Sequence, residues 1–180
     1  MEHKFSDQYR AMTRAQILAR EKEASPEDAE RVRDEVRTFI QHHSPGTAKF
    51  LLTHRKDGRS LCRPVSAFTE GWTVGTISQL EHLKNQHIRR NPEVGYLWVE
   101  MNPTGDSWLK TVWMNGVCEI VDDRDQIKDF YERRRAVTGF GDAHSDDDWV
   151  RLLLRTTPTL VRAEGFLGRD TPALYRDFSH

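Results

Sequence analysis

Short strand-like segments joined by tight turns constrain this chain more than any other feature. The segment Lys49–His54 (KFLLTH) is followed by the loop Arg55–Arg59 (RKDGR), whose glycine supplies the positive φ that a hairpin turn needs. A return strand is predicted over Ser60–Phe68, then a turn at Thr69–Gly71 and a strand over Trp72–Ile77. Connections this short cannot hold the crossover that parallel strands require. The sequence therefore predicts antiparallel pairing.

The other elements follow from apolar periodicity and capping signals. Ser25 is a favourable N-cap and Pro26 a favourable first helical residue, so a helix with one buried face is predicted there. A basic helix over about Leu80–Arg90 is predicted to stop before Pro92, because the residue before a proline avoids helical dihedral angles. The remaining predicted elements are strands at Val94–Glu100, Ser107–Val121 and Thr159–Leu167, and helices from about Ser6 to Glu23, after Asp122-Asp123, and into Trp149–Leu154.

Six predicted strands with peripheral helices favour a mainly β fold of the α+β class, built as an antiparallel barrel. Pro64 cannot donate to a β-ladder, so its strand is predicted to lie at an edge or to be bulged there. Gly116, in the middle of a long strand, predicts a second bend or bulge. Residues 1–46 are assigned to an N-terminal helical arm and residues 47–180 to one globular unit.

Composition excludes several classes of function. Charged residues make up 31% of the chain, and the formal net charge of −1 gives no overall attraction to nucleic acid or to an anionic membrane. No apolar run approaches the ~20 residues that span a bilayer, and the N-terminus lacks the apolar stretch of a signal peptide. The only cysteines, Cys62 and Cys118, are predicted to be buried thiols of a cytoplasmic protein.

Metal binding has two weak candidates in the sequence. Asp142–Asp148 contains four aspartates and His144, but acids just before an apolar run are typical of a helix N-terminus. The adjacent His42 and His43 point in different directions from a helix end. No metal site is therefore predicted. The glycine-rich nucleotide-binding, phosphate-loop, zinc-protease and serine-hydrolase motifs do not occur either.

A candidate phosphate site lies between Leu61 and Pro92. Arg63 lies on a strand, Thr76 and Ser78 end the next strand, and Lys84 lies on the following helix. The planar fork of an arginine and the point charge of a lysine suit a phosphate dianion, and the start of the helix adds backbone N–H donors. The alternative is that Arg63 forms an ion pair at a strand edge while Lys84 is solvated, as such residues usually are.

The same residues carry a resemblance to a known family. The order Arg63-Pro64-Val65, then Thr76 and Ser78, then Lys84 eight residues before Pro92, resembles the pyridoxamine 5'-phosphate oxidase-like flavoproteins and their deazaflavin-using relatives, from about Ala48 to Val121. The resemblance implies a split β-barrel, a homodimer with FMN at the subunit interface, and a redox reaction on a small organic molecule. The implied cofactor-binding residues are Arg63, Pro64, Val65, Ser66, Thr76, Ile77, Ser78, Lys84 and Thr111.

The substrate is not predicted. Lys110 and Thr111 stand where the larger oxidases of this family carry an Arg-Gln pair, which argues against pyridoxamine phosphate as the substrate. A flavin supplies the hydride chemistry itself, so no catalytic side chain is named; backbone N–H groups at Val65 and Ser66 are predicted to stabilise the reduced ring. Trp98 and Trp113 are candidates for the open face of the ring or for the core.

Three alternatives to an FMN enzyme stay open at this point. A deazaflavin coenzyme has a longer anionic tail, which would use Lys84 with Arg89 or Arg90. A non-catalytic flavin- or haem-binding barrel is the second, with His82 or His87 as the axial ligand of a haem. A nucleic-acid-binding barrel is the third, and the near-neutral charge disfavours it.

Overall fold

A computed structural model of the chain describes residues 26–41, 46–101, 109–139, 150–166 and 173–178. Within these ranges it contains three helices and eight strands. The elements are α1 (Pro26–Gln41), β1 (Thr47–His54), β2 (Ser60–Pro64), β3 (Ala67–Glu70), β4 (Thr73–Gln79), α2 (Leu83–Arg90), β5 (Glu93–Glu100), β6 (Thr111–Val121), α3 (Arg124–Thr138), β7 (Arg151–Glu164) and β8 (Ala173–Tyr175).

All eight strands belong to one antiparallel sheet, which curls into a half-barrel. The order across the sheet is β2-β1-β5-β6-β7-β4-β3, and β8 pairs with β7. The predicted antiparallel split-barrel fold of the α+β class is confirmed. No helix in the described ranges is long and apolar enough to cross a membrane.

The strand predicted over Ser60–Phe68 is two strands. β2 ends at Pro64 and pairs with β1, whereas β3 begins at Ala67 and pairs with β4. These two strands are the opposite edges of the sheet, so the two residues between them carry the chain from one edge to the other. Pro64 ends the first ladder because it has no N–H to donate.

The prediction of a helix running into Trp149–Leu154 is wrong for residues 150–154, which the structure describes. β7 begins at Arg151, and Leu152, Leu153 and Leu154 are all buried. Leu154 belongs to the main core and Leu153 to a second cluster under α3, so both faces of the strand are covered. A continuous apolar run of this kind fits a buried strand as well as a helix, and periodicity alone does not separate the two. The predicted acidic metal candidate, residues 142–148, lies outside the described residues, as do His42 and His43.

Two apolar clusters hold the half-barrel together. The main one fills the concave side of the sheet, where Leu51, Tyr96, Trp98 and Met114 are at most 1% exposed. The buried face of α1 adds Val32, Val36 and Ile40 to this cluster, which matches the predicted amphipathic pattern. Residues 26–41 of the predicted arm therefore pack into the core, while the division at residue 46 stays a prediction. The second cluster lies where α3 covers β4 and β7.

The cysteine prediction is half right. Cys118 is buried and Cys62 is exposed on β2, and both are free thiols. The correction at Cys62 follows from its position on an edge strand whose residues are mostly exposed. The cytoplasmic location stays a prediction.

Gly116 marks an irregularity in β6 that the sequence predicted. The register with β7 shifts between Asn115 and Gly116. A Cβ at Gly116 would lie 2.6 Å from the carbonyl oxygen of Thr157 and 2.6 Å from a methyl group of Thr156. The close approach of two strands therefore requires a residue without a side chain here.

We expect Gly116→Ala to lower the free energy of unfolding by about 1–3 kcal/mol, because the added methyl group meets backbone rather than a flexible side chain. Urea denaturation measures the change. Glu119→Ala in the same strand is the control: its exposed carboxylate lies 3.7 Å from Arg155, and such pairs contribute less than about 0.5 kcal/mol. Equal stability of Gly116→Ala and the wild type would contradict the close packing.

Lys49 closes the seam between the two edges of the sheet. Its Nζ donates to the carbonyl oxygen of Ala67 at 3.0 Å, and its own carbonyl accepts from the N–H of Val65 at 2.9 Å. Lys49 is only 9% exposed, and no carboxylate in the described residues lies within ion-pair distance of it. Burial, and then the nearby charge of Arg134, lower the pKa of Lys49 to about 8.

This low pKa makes stability depend on pH in one direction. Between about pH 8 and the ordinary lysine pKa of 10.5, the unfolded chain binds more protons at this site than the folded chain, so the contribution of Lys49 rises with pH. We expect the free energy of unfolding of the wild type to gain about 2 kcal/mol over Lys49→Met from pH 8 to pH 10. Denaturation at several pH values measures it.

The exposed Lys128 on α3 provides the matched control. Replacing it with methionine should leave the pH profile of stability unchanged. If Lys49→Met and Lys128→Met gave the same profile, Lys49 would not be a buried cation at the seam.

Candidate functional site

The candidate site lies where α2 covers one end of the half-barrel. α2 follows β4 and packs against β1 and β6. Asn85, fully buried, fixes the start of the helix: its Nδ2 donates to the carbonyl oxygens of Gln79 at 2.7 Å and Leu80 at 3.0 Å, and its Oδ1 accepts from Ser78 Oγ at 2.7 Å. The next turn ends the helix at Asn91, before Pro92, as predicted.

Arg63 and Lys84 converge at this end. Arg63 pairs with Leu51 in the ladder, and residues directly opposite one another point to the same face, so Arg63 shares the concave side with the core residue Leu51. Lys84, on the first turn of α2, is only 9% exposed. Burial lowers the pKa of both side chains, and the charge of Arg63 lowers that of Lys84 further.

Neither cation has a carboxylate partner in the described part of the chain. The ion pairs found there join other residues; one of them, between Arg55 and Asp57 at 3.3 Å, lies in the β1–β2 turn. Most buried charges are paired, because an isolated charge loses its hydration without compensation. Two partly buried cations facing each other are therefore an arrangement that an anion would stabilise.

His87 is a member of this cluster that sequence reasoning did not assign to the phosphate. Its Nδ1 lies 3.0 Å from Oγ1 of Thr53, a buried residue of β1. The pKa of His87 is lowered by burial first, and then by the charges of Arg63, Arg90 and Arg55. The spacing of three residues between Lys84 and His87 on a helix is the sequence signal that could have joined them.

The two predicted hydroxyl donors are engaged inside the protein. Thr76 Oγ1 forms a hydrogen bond with the hydroxyl of Tyr96 at 3.0 Å, and Ser78 Oγ donates to Asn85; each is 1% exposed. Ile77, between them, points to the other side of β4 and packs against the cluster under α3. These three residues lie beside α2, but their side chains hold the barrel together, and a role in cofactor binding stays a prediction.

The link between the sheet edges holds Pro64, Val65 and Ser66. The N–H of Val65 is donated to Lys49, so it is not available to a bound ring, and the predicted role of that amide is corrected. The N–H of Ser66 has no acceptor in the described residues. Arg134 of α3 donates to Ser66 Oγ at 2.7 Å and fixes the position of this residue.

Thr111 lies apart from Arg63 and Lys84. It begins β6 opposite Val99 and Glu164, and its side chain is on the convex side of the sheet, opposite to the core. The neighbouring Lys110 forms an ion pair with Glu35 of α1 at 2.7 Å. Within one chain, therefore, the structure brings Arg63 and Lys84 together and leaves Thr111 on another surface.

The convex face of β1, β5 and β6 is apolar and open. It carries a hollow of about 330 Å³ with Trp113 against it. Trp113 lies across Gly95, where a Cβ would come within 2.7 Å of the indole ring, and its Nε1 donates to Asn115 at 2.7 Å. Trp98 is fully buried in the core, so of the two candidate tryptophans only Trp113 can meet a ligand. The apolar side chains of this convex face are Phe50, Leu52, Leu97, Trp113 and Val117, and polar residues such as His54, Glu93 and Asn115 lie beside them.

The histidines considered as haem ligands occupy different positions. His82 is exposed at the N-cap of α2, with its Nδ1 3.5 Å from Ser78 Oγ, and His87 is partly buried against Thr53. Arg89 and Arg90 are exposed, and Arg90 reaches the carbonyl oxygen of His54 at 3.5 Å. In the described residues, no three His, Cys, Asp or Glu side chains come together as a metal site.

Comparison with known proteins places the chain in a family. Residues 32–163 match the family model described as pyridoxamine 5'-phosphate oxidase. No curated protein matches the sequence.

Solved structures share the fold at low sequence identity. The general stress protein 26 of Bacillus anthracis is 16% identical with a TM-score of 0.58, over 81% of this chain and 98% of that one. An F420 reductase is 18% identical with a TM-score of 0.53, over 69% and 93%. A heme-binding protein of Mycobacterium smegmatis is 17% identical with a TM-score of 0.58, over 81% and 57%. Because the family model covers most of the half-barrel and the cationic end lies within it, the chain belongs to the pyridoxamine 5'-phosphate oxidase-like family.

Proposed function

We propose that the protein is an FMN-dependent oxidoreductase that acts on a small organic molecule and holds the FMN phosphate between Arg63 and Lys84. The observation that carries the proposal is that Lys84, a nearly buried cation, lies under the influence of Arg63 and that neither forms an ion pair with a carboxylate of the described residues. The family supplies the class of cofactor, and its members in the comparisons include a reductase and a heme-binding protein.

The residues fit a phosphate group on physical grounds. Burial removes hydration from both side chains and lowers the pKa of each, and the charge of Arg63 lowers the pKa of Lys84 further, so the folded protein disfavours these charges when no anion is bound. A phosphate dianion removes this penalty, with a guanidinium fork on one side and an ammonium group on the other. The free-energy cost of burying the charge of Lys84 is therefore lowest when an anion is bound.

The chain's own groups bind and orient the cofactor. Ser66, held by Arg134, presents a backbone N–H next to the strand that carries Arg63. That N–H would be a donor to negative charge on a reduced ring, which is where preorganised donors contribute most to catalysis. A bound flavin would supply the hydride transfer itself. No side-chain acid or base is needed for that step, so the substrate is selected by the surface around the ring.

We also propose that the active form is a homodimer joined through the convex face. A contiguous apolar surface open to solvent is typical of an interface, and Val117 on this face is 47% exposed. In the ladder, Leu97 lies between Phe50 and Trp113, so the three side chains form a continuous apolar row across β1, β5 and β6. A second copy of the chain would cover this row and bring Thr111 and Trp113 of one subunit towards the other.

A deazaflavin-dependent reductase is the second candidate. Arg55 and Arg90 act on the charge of His87 together with Arg63, so the cationic surface continues past the phosphate position. A coenzyme with a longer anionic tail would contact this extension through Arg90. A non-catalytic flavin- or haem-binding protein is the third candidate. Mass spectrometry of the molecule that copurifies separates FMN, deazaflavin and haem directly.

We expect Arg63→Ala combined with Lys84→Ala to weaken FMN binding by about 100-fold or more, since each charge-assisted hydrogen bond contributes ~1.5–3 kcal/mol. Quenching of flavin fluorescence on titration measures the affinity. The fold should persist, because neither residue belongs to the apolar clusters.

Lys56→Ala combined with Arg59→Ala is the matched control, because it removes the same net charge from exposed positions in the adjacent hairpin. It should change FMN affinity only slightly, through long-range electrostatics. Equal losses in the two double variants would show that FMN binding depends on net charge and not on Arg63 and Lys84.

We expect Leu97→Glu to convert the dimer to a monomer, because a carboxylate would be buried at the centre of the apolar row. Light scattering coupled to gel filtration measures the mass. Val137→Glu, at a 71% exposed position of α3, is the control and should leave the mass of the wild type unchanged. A wild-type protein that is monomeric at micromolar concentration would refute the dimer.

A further inference from the structure

His87 occupies a position in the cationic cluster that phosphate binding by Arg63 and Lys84 does not explain. It lies one helical turn after Lys84, so the two side chains share a face of α2. Nδ1 of the His87 ring forms a hydrogen bond with Oγ1 of Thr53 at 3.0 Å. The other nitrogen, Nε2, has no hydrogen-bond partner in the described part of the chain and is the atom left for a ligand.

The charges that face His87 come from every element around it. β2 contributes Arg63, the β1–β2 turn contributes Arg55 and Asp57, and α2 itself contributes Arg90, while Lys84 stands one helical turn earlier on the same helix. β1 contributes the neutral Thr53, and β6, which also packs against α2, places the buried thiol Cys118 on its inward face. Only one of the charged groups is an acid, and its carboxylate is already paired with Arg55.

We propose that His87 is a third ligand of the anion held by Arg63 and Lys84, and that it takes up a proton when the anion binds. The inference rests on the proposed anion site. It adds a titratable ligand to that site, so that affinity for an anionic group increases as the pH falls.

The sign of the effect follows from linkage. Without a ligand, the surrounding cations and partial burial keep the pKa of His87 below its ordinary value, so the ring is neutral at neutral pH. A bound dianion offsets those cations and favours the protonated ring. The complex then binds one more proton than the free protein between the two pKa values, and binding tightens as pH falls through that window.

Nδ1 and Nε2 then have separate tasks. Thr53 fixes the orientation of the ring through Nδ1, and a proton on Nε2 makes that atom a charge-assisted donor to the anion. Of the three side chains, only His87 has an ordinary pKa close to neutrality, so its protonation is what links the affinity of this cluster to pH between about 5 and 8.

Sulfate is the probe, because it stays a dianion over the pH range in which both histidine and phosphate titrate. NMR of ¹⁵N-labelled protein follows each histidine ring between about pH 5 and 8, with and without sulfate, at ionic strength balanced by chloride. We expect the His87 titration to move to higher pH in sulfate while His54, on the convex side of β1, does not move. Wild-type affinity for sulfate should be about threefold to tenfold tighter at pH 5.5 than at pH 8.

His87→Asn is the informative variant, because its amide can replace Nδ1 in the contact with Thr53 but cannot gain a proton. Its sulfate affinity should be independent of pH and equal to that of the wild type at pH 8. His54→Asn should retain the pH dependence of the wild type. A His87 titration that sulfate does not move, or a His87→Asn variant with the pH dependence of the wild type, would overturn the inference.

The result separates the two proposals. If FMN binds and depends on Arg63 and Lys84, but sulfate and pH act alike on wild type and His87→Asn, the cofactor site stands and the role of His87 falls. If neither sulfate nor FMN binds at any pH, the anion site itself is refuted, and the inference is overturned with it.

Discussion

Burial of cationic side chains that have no carboxylate partner among the described residues is the constraint on which this end of the protein depends. Lys49 and Lys84 are each only 9% exposed, and Arg63 lies on the concave face beside the core. A hydrophobic core could fill the same space at lower electrostatic cost. These cations lie where the sheet stays open, so an anionic ligand bound there would offset their charges.

The open seam follows from one residue. Pro64 ends β2, and the chain crosses within two residues to the opposite edge of the sheet, where β3 begins. A continuous ladder cannot form across that link. Instead, Lys49 of β1 donates to the carbonyl oxygen of Ala67 in β3, and Arg134 of α3 donates to Ser66 in the link itself. Arg63 lies on β2 just before this link, and the link holds Ser66, whose N–H has no acceptor among the described residues. Incomplete closure of the barrel and placement of the candidate ligands thus have a common cause.

The sequence correctly predicted those features that depend on residues close together in the chain. The hairpin of β1 and β2, the bulge near Gly116 and the end of α2 before Pro92 all follow from residues close in sequence, through turn geometry, missing donors or close packing. The prediction was wrong where burial on both faces erased the periodicity, as in β7, and where an edge position exposed Cys62. Burial of this kind depends on what the rest of the chain places against a segment, and no short window of sequence contains it.

By itself the sequence determined the antiparallel class of the fold and identified Arg63 and Lys84 as candidate ligands, because hairpin turns and phosphate recognition both depend on residue type and spacing. Only the tertiary structure decided which groups face one another. It directed the hydroxyls of Thr76 and Ser78 into the barrel, moved Thr111 to the convex side, and brought His87 under the influence of Arg63. The physical reason is that sequence periodicity shows which face of a strand or helix a residue occupies, but not which distant part of the chain packs against that face.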